Sequence, residues 1–282
     1  MRQTIACANQ KGGVGKTTTV VNLATYLALA GDRVLVIDFD PQGNATSGFG
    51  VDRAGLDRSV YDALVGSVPL ADLIVERPSA GVDIVPSSIA LAGAEVEMAN
   101  MDRRERRLAR LVEAVSADYD YILIDSPPSL GLLTVNALTA AQSVLIPLQC
   151  EYYALEGLTQ LVATINLVRD HLNPGLEIKG VVLTMYDART NLSSDVAAEV
   201  RRHLTGRVFD SVIPRSVRLS EAPSYGVPIA FYSPESKGAA AYAALAAELR
   251  ARDGRPLPPK SSARAVTTGR DPDETAAEPV PA

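Results

Sequence analysis

The sequence predicts a doubly wound α/β protein, with a mainly parallel sheet flanked by helices in a single domain. Three observations carry that prediction. Short β-rich runs alternate with longer helical patterns through about 250 of the 282 residues. Most of the short runs are continuously apolar rather than alternating, as strands covered on both faces require. A glycine-rich stretch also separates the first strand from the first helix, a place where open α/β sheets gather ligands.

The strands are expected at Thr4–Ala8, Val34–Asp38, Val82–Val85, Tyr121–Asp125, Ser143–Leu148, Ile178–Met185 and Val208–Ile213. Between them the longer patterns predict helices over Lys16–Leu29, Arg103–Val115, Leu132–Ala140, Leu155–His171, Leu192–Leu204 and Lys237–Arg252. The strand order is not readable from the chain. Domain organisation follows from composition: residues 1–252 form one folded unit, and residues 253–282 form a tail. That tail holds six prolines and only three large aliphatics, Leu257, Val266 and Val280. Such a segment cannot offset the entropy of ordering, so it is expected to be disordered.

Composition narrows the function classes. With 47% hydrophobic residues the chain is not disordered as a whole, and it lacks an apolar run long enough for a membrane span. Cys7 and Cys150 are too few for a disulfide framework, and His171 and His203 have no cysteine near them to make a metal site. The opening residues Met1–Gln10 lack a signal-peptide core, which leads to an expectation of a cytoplasmic protein. A net charge of −6 argues, taken alone, against a general nucleic-acid binder.

The strongest motif is Lys11-Gly12-Gly13-Val14-Gly15-Lys16-Thr17-Thr18, between the first strand and first helix. Glycines let the backbone turn tightly and aim successive N–H groups at phosphate oxygens, and the following helix N-terminus favours the same anion. Lys16 is placed to reach the β- and γ-phosphates and the Thr17 hydroxyl to ligate Mg²⁺. From the residues alone, Lys11 is either a solvated surface lysine or a cation with a charge to neutralise in its own site or across an interface.

Two apolar strands end in carboxylates. Val34–Asp38 runs into Asp38-Phe39-Asp40-Pro41-Gln42-Gly43-Asn44, and Tyr121–Asp125 into Asp125-Ser126-Pro127-Pro128. Carboxyl ends of strands face the ligand crevice in such sheets, so these acids point toward the phosphate loop. Asp125 stands where a Mg²⁺-binding Walker B aspartate would, binding directly or through water. Asp38 and Asp40 could otherwise cap a turn.

The loop resembles the deviant Walker A motif of the ParA/MinD superfamily of P-loop ATPases, and the Asp38–Thr46 run resembles the second signature of Soj-type ParA proteins. The resemblance covers residues 1 to about 250. It implies a P-loop NTPase fold and ATP hydrolysis with Mg²⁺. It also implies an ATP-driven homodimer in which Lys11 reaches the partner's nucleotide while Lys16 acts in cis. Asp40 would position the attacking water and help hold Mg²⁺ through water, and Asp38 would be structural. Pro214 and Ser216 would contact adenine, although asparagine often stands in the family where Ser216 does.

Arginine outnumbers lysine 22 to 5. Between Arg189 and Arg218, six arginines face three acids, a local +3 in an acidic chain. Arg189 and Arg218 match family arginines that bind DNA phosphates without base readout. A second cluster, Arg103, Arg104, Arg106, Arg107 and Arg110, reads as a solvated helix face. The resemblance implies partitioning of DNA, a ParB-like centromere-binding partner, nucleoid association and no membrane. The alternative branch, a MinD-like division-site switch, ends in an amphipathic lipid-binding helix; here the C-terminal stretch is proline-rich. A nitrogenase-type redox ATPase is set aside, since Asp125-Ser126-Pro127-Pro128 has no cysteine where that family needs one.

Overall fold

A computed structural model describes residues 2–76, 81–151 and 154–255. In chain order its elements are β1 (Gln3–Cys7), α1 (Lys16–Leu29), β2 (Val34–Asp38), α2 (Asn44–Gly48), α3 (Val60–Leu64), β3 (Val82–Val85), α4 (Leu91–Glu97), α5 (Arg107–Val115), β4 (Tyr121–Asp125) and α6 (Leu132–Ala140). They continue as β5 (Ser143–Gln149), α7 (Ala154–His171), β6 (Glu177–Thr184), α8 (Asn191–His203), α9 (Val217–Glu221), α10 (Ile229–Tyr232) and α11 (Lys237–Arg252). The strands pair in parallel in the order β3-β2-β4-β1-β5-β6. The doubly wound α/β fold is as the sequence predicts.

Strand pleating divides the interior into two cores. Ile5, Cys7, Val34, Val36 and Leu123 point to the side covered by α1 and α11, where Val20, Leu23, Leu27, Tyr242 and Leu249 pack. Their neighbours Ala6, Leu35, Ile37, Ile122 and Ile124 point to the other side, against Leu108 and Val112 of α5, Ala137 of α6 and Leu161 of α7. Burial on both faces explains why the strands read as unbroken apolar runs.

Two predicted elements differ in form. The expected strand Val208–Ile213 makes a single isolated parallel bridge to β6, Val208 to Val181, with a second from Pro214 to Tyr186 just beyond both, and forms no seventh strand among the described residues. Phe209 and Ile213 donate to Val181 and Leu183 of β6, but the N–H groups of Asp210 and Ser211 between them donate to the Glu248 carboxylate at 2.9 Å each. A side chain from α11 therefore takes the donors that a continuous ladder would use. The expected helix Arg103–Val115 starts only at Arg107. Arg103 is left-handed, with φ of 49°, and 104–106 form a 3₁₀ turn. Asn136 of α6 accepts from Leu108 N–H at 3.2 Å and donates to the Arg104 carbonyl at 2.9 Å, which holds the bend. The five arginines of this region thus do not share one helix face.

The chain end after α11 is tied to the body. Asp253 pairs with Lys179 and accepts from Tyr121 Oη at 2.9 Å, while Arg255 bridges Asp32 at 2.7 Å and Asp120 at 3.1 Å. Residues 253–255, which the sequence assigns to the tail, are thus held on the protein. The rest of that tail, from 256 onward, lies outside the described residues.

Candidate nucleotide site

The register brings three strand ends to one level. Cys7 of β1 and Asp38 of β2 each lie opposite Asp125 of β4. The phosphate-loop motif leaves the first of these strands and turns into α1 through Gly13 and Gly15, whose φ values of 73° and 88° lie in the left-handed region that side chains disfavour. Gly15 is the N-terminal cap of α1 and has no side chain to cap the first turn, so the free N–H groups there are available to an anion. Behind the loop, Thr184 at the end of β6 donates its hydroxyl to Val14 O at 2.8 Å. Asn9 braces its mouth by accepting from Lys11 N at 3.0 Å and donating to Pro147 O at 2.7 Å.

Lys16 is buried, and its ammonium donates to the Lys11 carbonyl at 3.1 Å, curled over the loop. Burial lowers its pKa, and the nearby Cys7, Asp125 and Asp40 oppose that shift. Asp125 is completely buried, and neither carboxylate oxygen has a hydrogen-bond partner of normal geometry. Its pKa is raised well above the carboxylate range by burial, then by the charge on Asp38, while the Thr17 hydroxyl beside it works in the opposite direction. A fully buried, unpartnered carboxylate next to the Thr17 hydroxyl, below a lysine and a loop of free N–H groups, is the donor set of a cation–phosphate site. The residues present fit Mg²⁺ and a nucleotide phosphate.

Asp38 and Asp40 divide their work. Asp38 Oδ2 accepts from Thr46 N–H at 2.7 Å and from the Thr46 hydroxyl at 2.6 Å, and its Oδ1 accepts from Asp40 N–H at 3.3 Å. All three bonds fold the 38–46 turn, so Asp38 is bound up in structure. Burial raises it to about 6 against those hydrogen bonds. Asp40 uses only Oδ1, accepting from Gln42 N–H at 2.9 Å, which leaves Oδ2 with no protein donor among the described residues. Ser87, just beyond β3, secures this turn by donating its hydroxyl to Asp40 O at 2.7 Å and its backbone N–H to the Thr46 hydroxyl oxygen at 3.0 Å. Sequence reading passed over Ser87; its position past a strand end was the available signal.

Lys11 stands on the rim, about two-fifths exposed, and its ammonium pairs with Glu151 at 2.7 Å. Glu151 is a second residue that the sequence did not single out, because 140 positions separate the partners. Pro214 and Ser216 do reach the loop: they line a cavity of about 350 Å³ together with Gly15, Thr18, Thr184 and Met185. A neighbouring cavity of about 390 Å³ shares Thr18 and Pro223 with it and runs along Asn22 and Asn44.

Arg189 and Arg218 lie outside this crevice on exposed ground. Arg189 makes a two-pronged contact with Asp187, at 2.9 and 2.7 Å, and holds that carboxyl down at about 2. Arg218 pairs with Glu221 at 3.0 Å, and Tyr232 Oη donates to the same carboxylate oxygen at 3.0 Å. Arg215 lies close enough to Asp187 to lower it further, so it joins the Arg189 end of the patch.

The comparisons with known proteins agree with this geometry. Residues 2–178 match the family model described as AAA domain. The chain is 57% identical over 251 residues to the sporulation initiation inhibitor protein Soj of Bacillus subtilis, covering 89% of this chain and 99% of that one. It is 53% identical over 251 residues to the chromosome partitioning protein ParA of Caulobacter vibrioides, covering 88% and 94%. Among solved structures, cobyrinic acid a,c-diamide synthase from Mycobacterium smegmatis, with bound ADP and magnesium, superposes with a TM-score of 0.79 at 39% identity, covering 92% and 98%. A parallel sheet with a phosphate loop at its centre, carboxylates at its strand ends and relatives of this identity place the chain in the ParA/Soj family of chromosome-partitioning ATPases.

Proposed function

We propose that this ATPase works as a nucleotide-switched DNA carrier, with ATP and Mg²⁺ as the ligands of the crevice described above. Gly12, Gly13, Val14, Gly15 and Thr18 line the phosphates and Lys16 neutralises them. Thr17 and Asp125 hold Mg²⁺, which supplies charge neutralisation at the transferring phosphoryl group, and Asp40 contributes through water. The open oxygen of Asp40 orients the attacking water and accepts its proton. Pro214 and Ser216 border the base. These roles rest on one observation above all: the burial of Asp125 with both oxygens unpartnered, a cost that a bound cation would relieve.

Lys11 is the cross-subunit residue. Exposed on the rim and held only by a surface ion pair, it can exchange Glu151 for a partner's phosphate without disturbing the fold. ATP then shifts the monomer–dimer balance because only the dimer offers that contact. The dimer presents two copies of Arg189 and Arg218 to DNA phosphates, and a ParB-like centromere-binding protein stimulates hydrolysis and release. The protein works in the cytoplasm on the nucleoid, with residues 1–252 as the ATPase domain and 253–282 as a tail whose first three residues are held on that domain. No described helix is long and apolar enough to cross a membrane.

DNA binding measured with and without ATP tests this reading. Two arginines from each of two subunits give a log–log salt slope of about −4 with ATP, falling to about −2 in Arg218→Glu. Binding that is indifferent to ATP, to Lys11→Ala and to salt would refute it.

A further inference from the structure

Away from the nucleotide crevice, α5 and the segment after α3 enclose a shallow groove of about 240 Å³. Ala63, Val68, Pro69 and Leu111 form its apolar floor, and Arg107 and Arg110 stand on its edge. Arg107 donates to the Leu64 carbonyl, so its position is set by backbone, not by an acid. Arg110 is exposed, and among the described residues no carboxylate lies within ion-pair distance of Arg106, Arg107 or Arg110. The neighbouring Arg103 and Arg104 pair only with the adjacent Asp102 and Glu105. The result is an apolar groove edged by uncompensated guanidinium groups.

The same chain carries a segment of opposite character. Residues 271–282 contain Asp271, Asp273, Glu274 and Glu278 with no base, interleaved with alanines, prolines and Val280. All the bases of the last 28 residues, Arg255, Lys260, Arg264 and Arg270, precede that stretch. The anchor of the chain end also lies near the groove. Arg255 binds Asp120, two residues past the short 116–118 turn that follows α5. From Arg110 to Val115, the end of α5, is about 7.5 Å along the helix axis at roughly 1.5 Å per residue. The fifteen residues 256–270 can span up to about 50 Å. Reach is therefore ample, and tethering raises the local concentration of the acidic segment to the millimolar range, on the order of 1 mM.

We propose that the groove bounded by Arg107 and Arg110 is the docking site of this chain's own acidic segment, residues 271–282. The carboxylates of Asp271, Asp273, Glu274 and Glu278 meet the guanidinium groups, and the interleaved alanines, prolines and valine lie on the floor. Occupied in this way, the arginine cluster is withheld from other polyanions, and the docking needs neither nucleotide nor dimer.

Zero-length carbodiimide crosslinking of the full chain carrying Arg110→Lys tests this, because the substitution puts an amine on an exposed site without removing a packed group. The expected product joins the peptide around position 110 to residues 271–282. It should arise within one molecule in a mixture of isotopically light and heavy chains. It should drop at least about five-fold when Asp271, Asp273, Glu274 and Glu278 are all made neutral amides, or when salt is raised to about 0.5 M and exposed pairs are screened. Three results would overturn the proposal: no such product, a product formed equally between light and heavy chains, or crosslinks from 271–282 spread evenly over Lys179, Lys237 and position 110. Backbone hydrogen exchange on the otherwise native sequence provides a readout independent of the variant. The four-fold neutralised chain should exchange faster than wild type in α5 and residues 66–69, and equal exchange would count against docking.

Discussion

Asp125 makes the tension between folding and nucleotide binding measurable. It is fully buried, its two oxygens have no partner of normal geometry, and the charged Asp38 lies opposite it across the β2–β4 pair. An unsatisfied buried polar group costs about 1–3 kcal/mol, and more when it is charged. Asp125→Asn keeps the shape and removes the charge, so the nucleotide-free protein should gain about 2 kcal/mol. For a domain of this size each kcal/mol moves the melting temperature by about 2–4 °C, giving a rise of about 4–8 °C. Wild type should recover stability from nucleotide with Mg²⁺, by about 2.7 kcal/mol at a hundred-fold excess over Kd. The variant should lose the Mg²⁺-dependent part of that gain. Thermal unfolding followed by circular dichroism, with and without ATP and with Mg²⁺ or a chelator, reads both effects. A variant that melts at or below wild type without ligands, or that keeps the whole Mg²⁺-dependent shift, would refute the reasoning.

Other expectations follow from neighbouring residues. Glu151→Gln frees Lys11 from a surface pair worth up to about 1 kcal/mol, so the ATP-bound dimer should tighten by up to about 30-fold over its two lysines; sedimentation showing an unchanged dimer constant would show that the Lys11–Glu151 pair does not oppose dimerisation. Asp40→Ala should leave ATP affinity within a few-fold of wild type and slow single-turnover hydrolysis by about 100-fold or more, and wild-type hydrolysis would take Asp40 out of the chemistry. Because Asp38 is raised to about 6, its neutral form is favoured by the fold. Its contribution is then fully present below the ordinary aspartate range, near pH 4, and is lost as pH rises to 6, by about 3 kcal/mol. The stability of Asp38→Asn relative to wild type should therefore climb over that window and level off above it. Chemical denaturation at several pH values would show a flat difference if the reasoning is wrong.

The elements that sequence reading located well are those with a local signal. The six strands carry continuous apolar runs because both faces are covered, and the phosphate loop carries its chemistry in consecutive residues. Helices α2, α3, α4, α9 and α10 carry no such signal, because helices of four to seven residues, such as Asn-Ala-Thr-Ser-Gly or Ile-Ala-Phe-Tyr, are too short to show a periodicity. The expected strand at Val208–Ile213 was lost to Glu248 and the expected helix start at Arg103 to Asn136, in each case because a side chain distant in sequence took the backbone groups that the local pattern had assigned elsewhere. Among site residues, Lys16, Thr17, Asp40 and Asp125 were legible at strand ends and in the loop, whereas Ser87 and Glu151 were not.

By itself, then, the sequence determined the fold class, the phosphate loop and which carboxylates end the strands, since each of these is set by neighbours within a few positions. Only the tertiary structure decided how those pieces act on one another. Strand order put Asp38 and Asp125 side by side, so that one could be satisfied by Thr46 and the other left open. Chain folding put Glu151 against Lys11 and Arg255 against Asp120. Burial, unlike residue type, is a property of distant parts of the chain brought together, and here burial leaves an ordinary aspartate with both oxygens open.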